Sequence, residues 1–204
     1  MEFAGIQPSR RRLLTGSAAL AAATVLAPLG GTRATAATPH AATAYPTVHW
    51  TPASTSNYTA SNRPTTYPVE MVVIHVTQET YADAVKIFQN PAKEVSIHYL
   101  VRSADGYIGQ CVKEDDVAWH AGNWDYNTRS IGIEHEGWVD DPSWFTETMY
   151  RQSAALTAAV CARYGIPKDR EHIIGHAEVP GTDHTDPGEY WDWAHYMDLV
   201  RDAG

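Results

Sequence analysis

Two histidines in this sequence stand where short apolar runs end. His75 follows MVVI and His176 follows IIG. Both runs read as buried strands, and strand ends in open α/β sheets are where ligands sit. Ten residues beyond His176 comes Asp186, in the segment GHAEVPGTDHTDPGEYWDW, which Pro180, Pro187 and Gly188 stiffen. Two imidazoles and a carboxylate suit zinc, and three protein ligands leave a fourth position for water. Asp186 is the natural third ligand, with Asp183 and His184 as competitors. A lone histidine at a strand end is more often a hydrogen-bonded core residue. Two at corresponding positions, with a carboxylate loop beside them, argue for a site. No HExxH helix is present, which excludes the common metalloprotease pattern.

The stretch SIGIEHEGW adds a second element. By period two, Glu134 shares a strand face with Gly132 and Glu136, while Ile131 and Ile133 take the other. A carboxylate on an apolar strand is costly to bury unless it is paired. Either this is a solvated sheet face, or Glu134 is a general base with a raised pKa that handles a water proton.

The elements that must position these groups alternate along the chain. Strands are expected over 69–78, 95–103, 107–112, 129–137 and 172–176, with a hairpin at Asp105-Gly106. Helices are expected over 80–89, 146–165 and 189–202; Thr146 starts the second, and Gly165 and Pro167 end it. This pattern implies an α/β fold: a single domain with a mixed, mostly parallel central β-sheet flanked by α-helices.

The first 36 residues are set apart. Arg10 to Arg12, an Ala/Leu/Val run and Ala34-Thr35-Ala36 read as a signal peptide of the twin-arginine type. Pro28 interrupts the apolar run, which is short for a spanning helix, so no stable membrane anchor is expected. Residues 37–64 read as a linker and N-terminal arm, and 65–204 as the catalytic domain. The whole chain has 15 basic and 24 acidic residues; residues 1–36 hold four arginines and Glu2, which leaves 11 against 23, a net charge of −12. Such a surface repels nucleic acid and anionic membranes. In an exported protein, Cys111 and Cys161 could form a disulfide worth about 4 kcal/mol or remain two buried thiols.

The segments VVIHVT, SIHYLVRSADGYIGQCVKEDDVAWHAGN, RSIGIEHEG and IIGHAEVPGTDHTDPGEYWDW, in that order, resemble the N-acetylmuramoyl-L-alanine amidase family 2 domain, related to peptidoglycan recognition proteins. The resemblance covers roughly residues 65 to 200. It implies one zinc per chain and hydrolysis of the amide between the lactyl group of N-acetylmuramic acid and L-alanine. By motif, His75, His176 and Asp186 would hold the metal and Glu134 would be the catalytic glutamate. Many relatives carry lysine two residues before the third ligand. Here that position is His184, to which we give the oxyanion role. Some relatives have a catalytic tyrosine where Ile97 stands, so Glu134 is the better base and His98 is expected to be structural. Trp119, His120 and Asn123 resemble a loop bordering the substrate groove. The implied partner is peptidoglycan or a muropeptide, bound by a monomer. The rival reading is a non-catalytic peptidoglycan-binding module, against which the complete ligand set argues.

Overall fold

The structure is a computed structural model that describes residues 44–203. The expected signal peptide and the start of the linker lie outside the described residues. From Tyr45 onward the stretch expected to be linker and arm is built into the domain. Val48–Trp50 forms a strand, β1, and Tyr58–Thr59 a second, β2. The Tyr45 hydroxyl donates to the buried Glu114 carboxylate at 2.9 Å, which pins the arm down.

Met71–Val76 forms β3, buried at every residue. Helix α1, Tyr81–Gln89, follows, its first turn capped by the Thr80 hydroxyl, which accepts from the Asp83 N–H. Tyr99–Val101 (β4) and Ile108–Gln110 (β5) make the expected antiparallel hairpin, shorter than the sequence suggested. Residues 95–98 stay outside the ladder: Ser96 N–H bonds to the Trp119 carbonyl instead. Val117–Ala118 (β6) pairs with β2 in a small separate sheet. Trp124–Arg129 forms a short helix, α2, that leads directly into β7, Ser130–His135. Helix α3, Glu147–Tyr164, is capped by Thr146 and ends at Gly165 with φ 71°. Ile173–Gly175 is β8, and α4 spans Trp193–Asp202. The final helix begins later than expected because the Asp192 side chain accepts from the His195 N–H and takes the N-cap place. Trp191, just before it, is buried beside Tyr150 and Tyr196.

The main sheet runs β1-β5-β4-β7-β3-β8. Only the β4–β5 pair is antiparallel. Alternation sorts its two faces. Val72, Ile74, Val76, Ile131 and Ile133 pack in the cluster that also holds the inner sides of α3 and α4. Leu100, Cys111 and Ile97 pack with Ala84 and Phe88 of α1 in a cluster on the opposite face. Cys161 belongs to the α3 cluster, so the sheet separates the two sulfurs and both are free thiols. Burial pushes each up to about 12, far from a reactive thiolate. No helix of the described residues is long and apolar enough to cross a membrane.

Candidate metal centre

The pairing of β3 with β7 sets His75 directly opposite Glu134. Both therefore point to the face away from α3 and α4, at the carboxyl ends of parallel strands. On the other side of β3, Ile74 pairs with Gly175, so His176 emerges next to His75. His176 opens a single 3-10 turn, His176–Glu178, and the Glu178 carboxylate accepts from the Gly175 N–H at 2.7 Å. The Ala177 N–H then bonds to the Asp186 carbonyl at 2.8 Å, folding the carboxylate loop back over the turn. Gly175 is required here: a Cβ on it would lie 2.6 Å from Pro187 Cδ.

These elements bring three donors together. His75 Nδ1 lies 3.3 Å from Asp186 Oδ2, and His176 Nδ1 lies 3.1 Å from Asp186 Oδ1. One ligand atom from each residue falls within 4.8 Å of the others, and all three residues are buried. Ligand bonds of roughly 2.0–2.2 Å in a tetrahedron place neighbouring donor atoms about 3.3–3.5 Å apart, close to the two spacings seen. The buried Nε2 of His176 has no hydrogen-bond partner, unlike a histidine held for structure alone. The residues thus fit a metal. Asp183 and His184 fall outside the three-donor group, although both line the same cavity.

The electrostatics favour ligand-ready forms. Burial lowers the His75 pKa, so its imidazole is neutral. Burial alone would raise the Asp186 carboxyl, but its close contacts with His176 and then His75 outweigh it and hold the group well below the usual carboxylate range. Glu134 goes the other way: burial, and then the Asp186 charge, raise it well above the ordinary value.

The cavity at the site holds about 560 Å³ and is lined by Glu134, His120 and His184 as well as the three donors. His184 is exposed; its ring stacks on His176 with centroids 4.2 Å apart, and its Nδ1 is 3.5 Å from Asp186 Oδ1. The other residues expected to meet substrate are engaged within the protein. His120 borders the cavity, but one ring nitrogen faces His75 Nε2 at 2.9 Å and the other faces Ser130 Oγ at 3.2 Å. Trp119 Nε1 donates to Thr59 Oγ1 at 3.0 Å. The Asn123 carbonyl oxygen caps α2, and its amide nitrogen donates to the Pro180 carbonyl at 3.1 Å. Trp119 and Asn123 do not line this cavity, and their side-chain N–H groups are taken up within the protein. His98 is buried, and its Nδ1 accepts from the Gly132 N–H at 3.0 Å.

The opposite cavity wall was not anticipated. It comes from Thr77, Gln78 and Glu79 after β3, and from Ala84, Ile87 and Phe88 of α1 with Val95. Gln78 has φ 56°, a turn conformation its residue type does not announce. The apolar side of α1 was visible as a core face, but nothing in its spacing said that the face also reaches a cavity.

A mixed sheet that carries two histidines at its parallel strand ends, with an aspartate from the following loop folded against them and a glutamate alongside, defines an amidohydrolase-type site. The chain belongs to the N-acetylmuramoyl-L-alanine amidase family, whose model matches residues 63–189. It is 39% identical over 173 residues to N-acetylmuramoyl-L-alanine amidase A of Achromobacter lyticus, covering 76% of this chain and 94% of that protein. It is 42% identical to the 1,6-anhydro-N-acetylmuramyl-L-alanine amidase AmpD of Citrobacter freundii, over 52% of this chain and 57% of that one. Among solved structures, AmpD superposes with a TM-score of 0.62 at 29% identity, covering 78% of this chain and 98% of that one. The AmiD amidase from E. coli, solved with anhydro-N-acetylmuramic acid-L-Ala-D-gamma-Glu-L-Lys, gives a TM-score of 0.56 at 26% identity, covering 64% of this chain and 57% of that one.

Proposed function

We propose that this chain is an exported, zinc-dependent N-acetylmuramoyl-L-alanine amidase that cuts the amide between the lactyl group of N-acetylmuramic acid and L-alanine of peptidoglycan. The observation that carries this reading is the convergence of His75, His176 and Asp186 beside Glu134 in one cavity. The substrate named for the AmiD structure supports the choice of bond.

His75, His176 and Asp186 would hold the zinc, which supplies a Lewis acid that polarises the amide carbonyl and makes water a better nucleophile. Glu134 takes one proton from the attacking water as the C–O bond forms. It returns that proton to the alanine nitrogen as the C–N bond breaks, leaving a free amine and a lactyl carboxylic acid, which then gives up the second water proton to become the carboxylate. The burial that raises the Glu134 carboxyl favours the protonated form needed for the second transfer. His184, exposed at the cavity wall, donates a hydrogen bond to the oxyanion. The apolar wall of Ala84, Ile87 and Phe88 offers contact to the lactyl and alanine methyl groups.

Export rests on Arg10 to Arg12, the apolar run and Ala34-Thr35-Ala36. Replacing Arg10 to Arg12 with Lys is expected to keep the protein inside the cell. The catalytic reading is tested by metal analysis of the purified protein. We expect about one zinc per chain, loss of hydrolysis on chelation and recovery on adding zinc. Protein that binds peptidoglycan without zinc and without cutting it would instead be a recognition module.

A further inference from the structure

The hydrogen bonds behind the metal ligands have a direction that can be worked out from one end. Ser130 Oγ lies 2.5 Å from the Tyr126 carbonyl. A carbonyl only accepts, so the single hydroxyl proton goes there. Ser130 Oγ also lies 3.2 Å from His120 Nε2, and with its proton committed it must accept that bond. His120 therefore carries its proton on Nε2 and has a lone pair on Nδ1. His75 Nε2 lies 2.9 Å from that lone pair, so it is the protonated nitrogen of His75. The remaining nitrogen, His75 Nδ1, is left as a lone pair 3.3 Å from Asp186 Oδ2. Two acceptors then face each other in a buried site, an arrangement that repels unless a cation lies between them.

We infer that Ser130 and His120 form a relay that fixes the tautomer of His75 and presents its Nδ1 lone pair to the metal. His120 is thus a positioning residue rather than a substrate contact. The inference rests on the zinc reading above, but concerns groups that reading does not use.

The fold is shaped around the relay. Gly132 lies beneath the His120 ring, and a Cβ there would meet His120 Nδ1 and Cγ at 2.7 Å. The backbone N–H groups of His120 and Ala121 both donate to the Asn127 side-chain oxygen, at 3.0 and 2.8 Å, which holds the His120 backbone in place. Ser130 is both the end of α2 and the start of β7, so one residue anchors the relay to two elements. His176 is treated differently: its Nε2 has no partner, and its Nδ1 faces only the Asp186 carboxylate, at 3.1 Å, with no relay behind it.

The test has two readouts. The first is imidazole ¹⁵N NMR of the metal-free wild type. His75 should show a protonated Nε2 and an unprotonated Nδ1, and His120 the same. A His75 protonated on Nδ1 would overturn the relay whether or not zinc binds, which separates this inference from the zinc reading. The second is zinc affinity by competition with a chromogenic chelator. His120→Ala should weaken zinc binding roughly 10–100-fold, the usual effect of removing a ligand's hydrogen-bond partner. His120→Asn, whose side-chain oxygen can accept from His75 Nε2–H, should recover most of that loss. Equal zinc affinity in His120→Ala and wild type would also overturn the relay. The NMR readout stands even if a variant fails to fold.

Discussion

Glu134 and His184 sit on the same cavity but are assigned different work, and single substitutions separate them. Glu134→Gln should keep the zinc and lower turnover by about 10²–10⁴, the usual range for a lost general acid–base group. His184→Ala should also keep the zinc, with kcat falling roughly 10²–10³ and KM changing little. Wild-type kcat in His184→Ala, measured on a soluble muropeptide, would remove His184 from the chemistry. Both residues could be picked out from the chain because their neighbours mark them: Glu134 interrupts an apolar strand, and His184 lies in a segment crowded with His and Asp. The pairing of His120 with His75 could not be, since 45 residues separate them. The resemblance of its loop put His120 beside the substrate groove; only the fold shows that both its nitrogens are engaged within the protein.

At the scale of elements, the site depends on how β8 hands the chain to the carboxylate loop. Gly175→Ala would drive its Cβ against Pro187 and push Asp186 away from the histidines. The expected result is weaker zinc binding in a protein that still folds, read by chelator competition together with circular dichroism. Unchanged zinc affinity would show that the loop does not need that close approach. Helix α3 gives a pure stability case. Thr146 Oγ1 accepts from the Met149 N–H and donates to the Ser103 carbonyl, so Thr146→Ala should cost about 1–2 kcal/mol in urea unfolding. That helix was plain in the chain because Thr146 and Gly165 bracket a long run. Helix α2 was not: WDYNTR has no apolar period, and what holds it is distant. The Asn123 side chain caps its start, and the buried Arg63 guanidinium donates to carbonyls at its end. Strand β1 was missed for a similar reason. Three residues on a sheet edge, two of them exposed, carry no alternation strong enough to stand out from a Thr- and Pro-rich stretch.

For the molecule as a whole, the number of buried neutral imidazoles predicts acid sensitivity. Burial lowers His98 and His120 well below their ordinary value, and lowers His135 from 6.5 to about 3. The unfolded chain binds these protons at higher pH than the folded one. Their contribution to stability is therefore complete above about pH 6.5 and is lost as pH falls toward 3. For His135 alone the loss at pH 5 is about 2 kcal/mol. Urea midpoints should drop clearly between pH 7.5 and pH 5, and a midpoint that does not move would contradict the neutral assignment. The general architecture followed from the alternation of strands and helices, whereas the contact that anchors the arm did not, because Tyr45 reaches Glu114 across 69 residues. The central claim is the bond that is cut. Mass spectrometry of purified peptidoglycan after digestion, with and without chelator, tests it most directly. The account predicts stem peptides with a free L-alanine amine and glycan with intact lactyl groups, formed only without chelator. Cleavage within the stem peptide or in the glycan, or the same products in the presence of chelator, would contradict it.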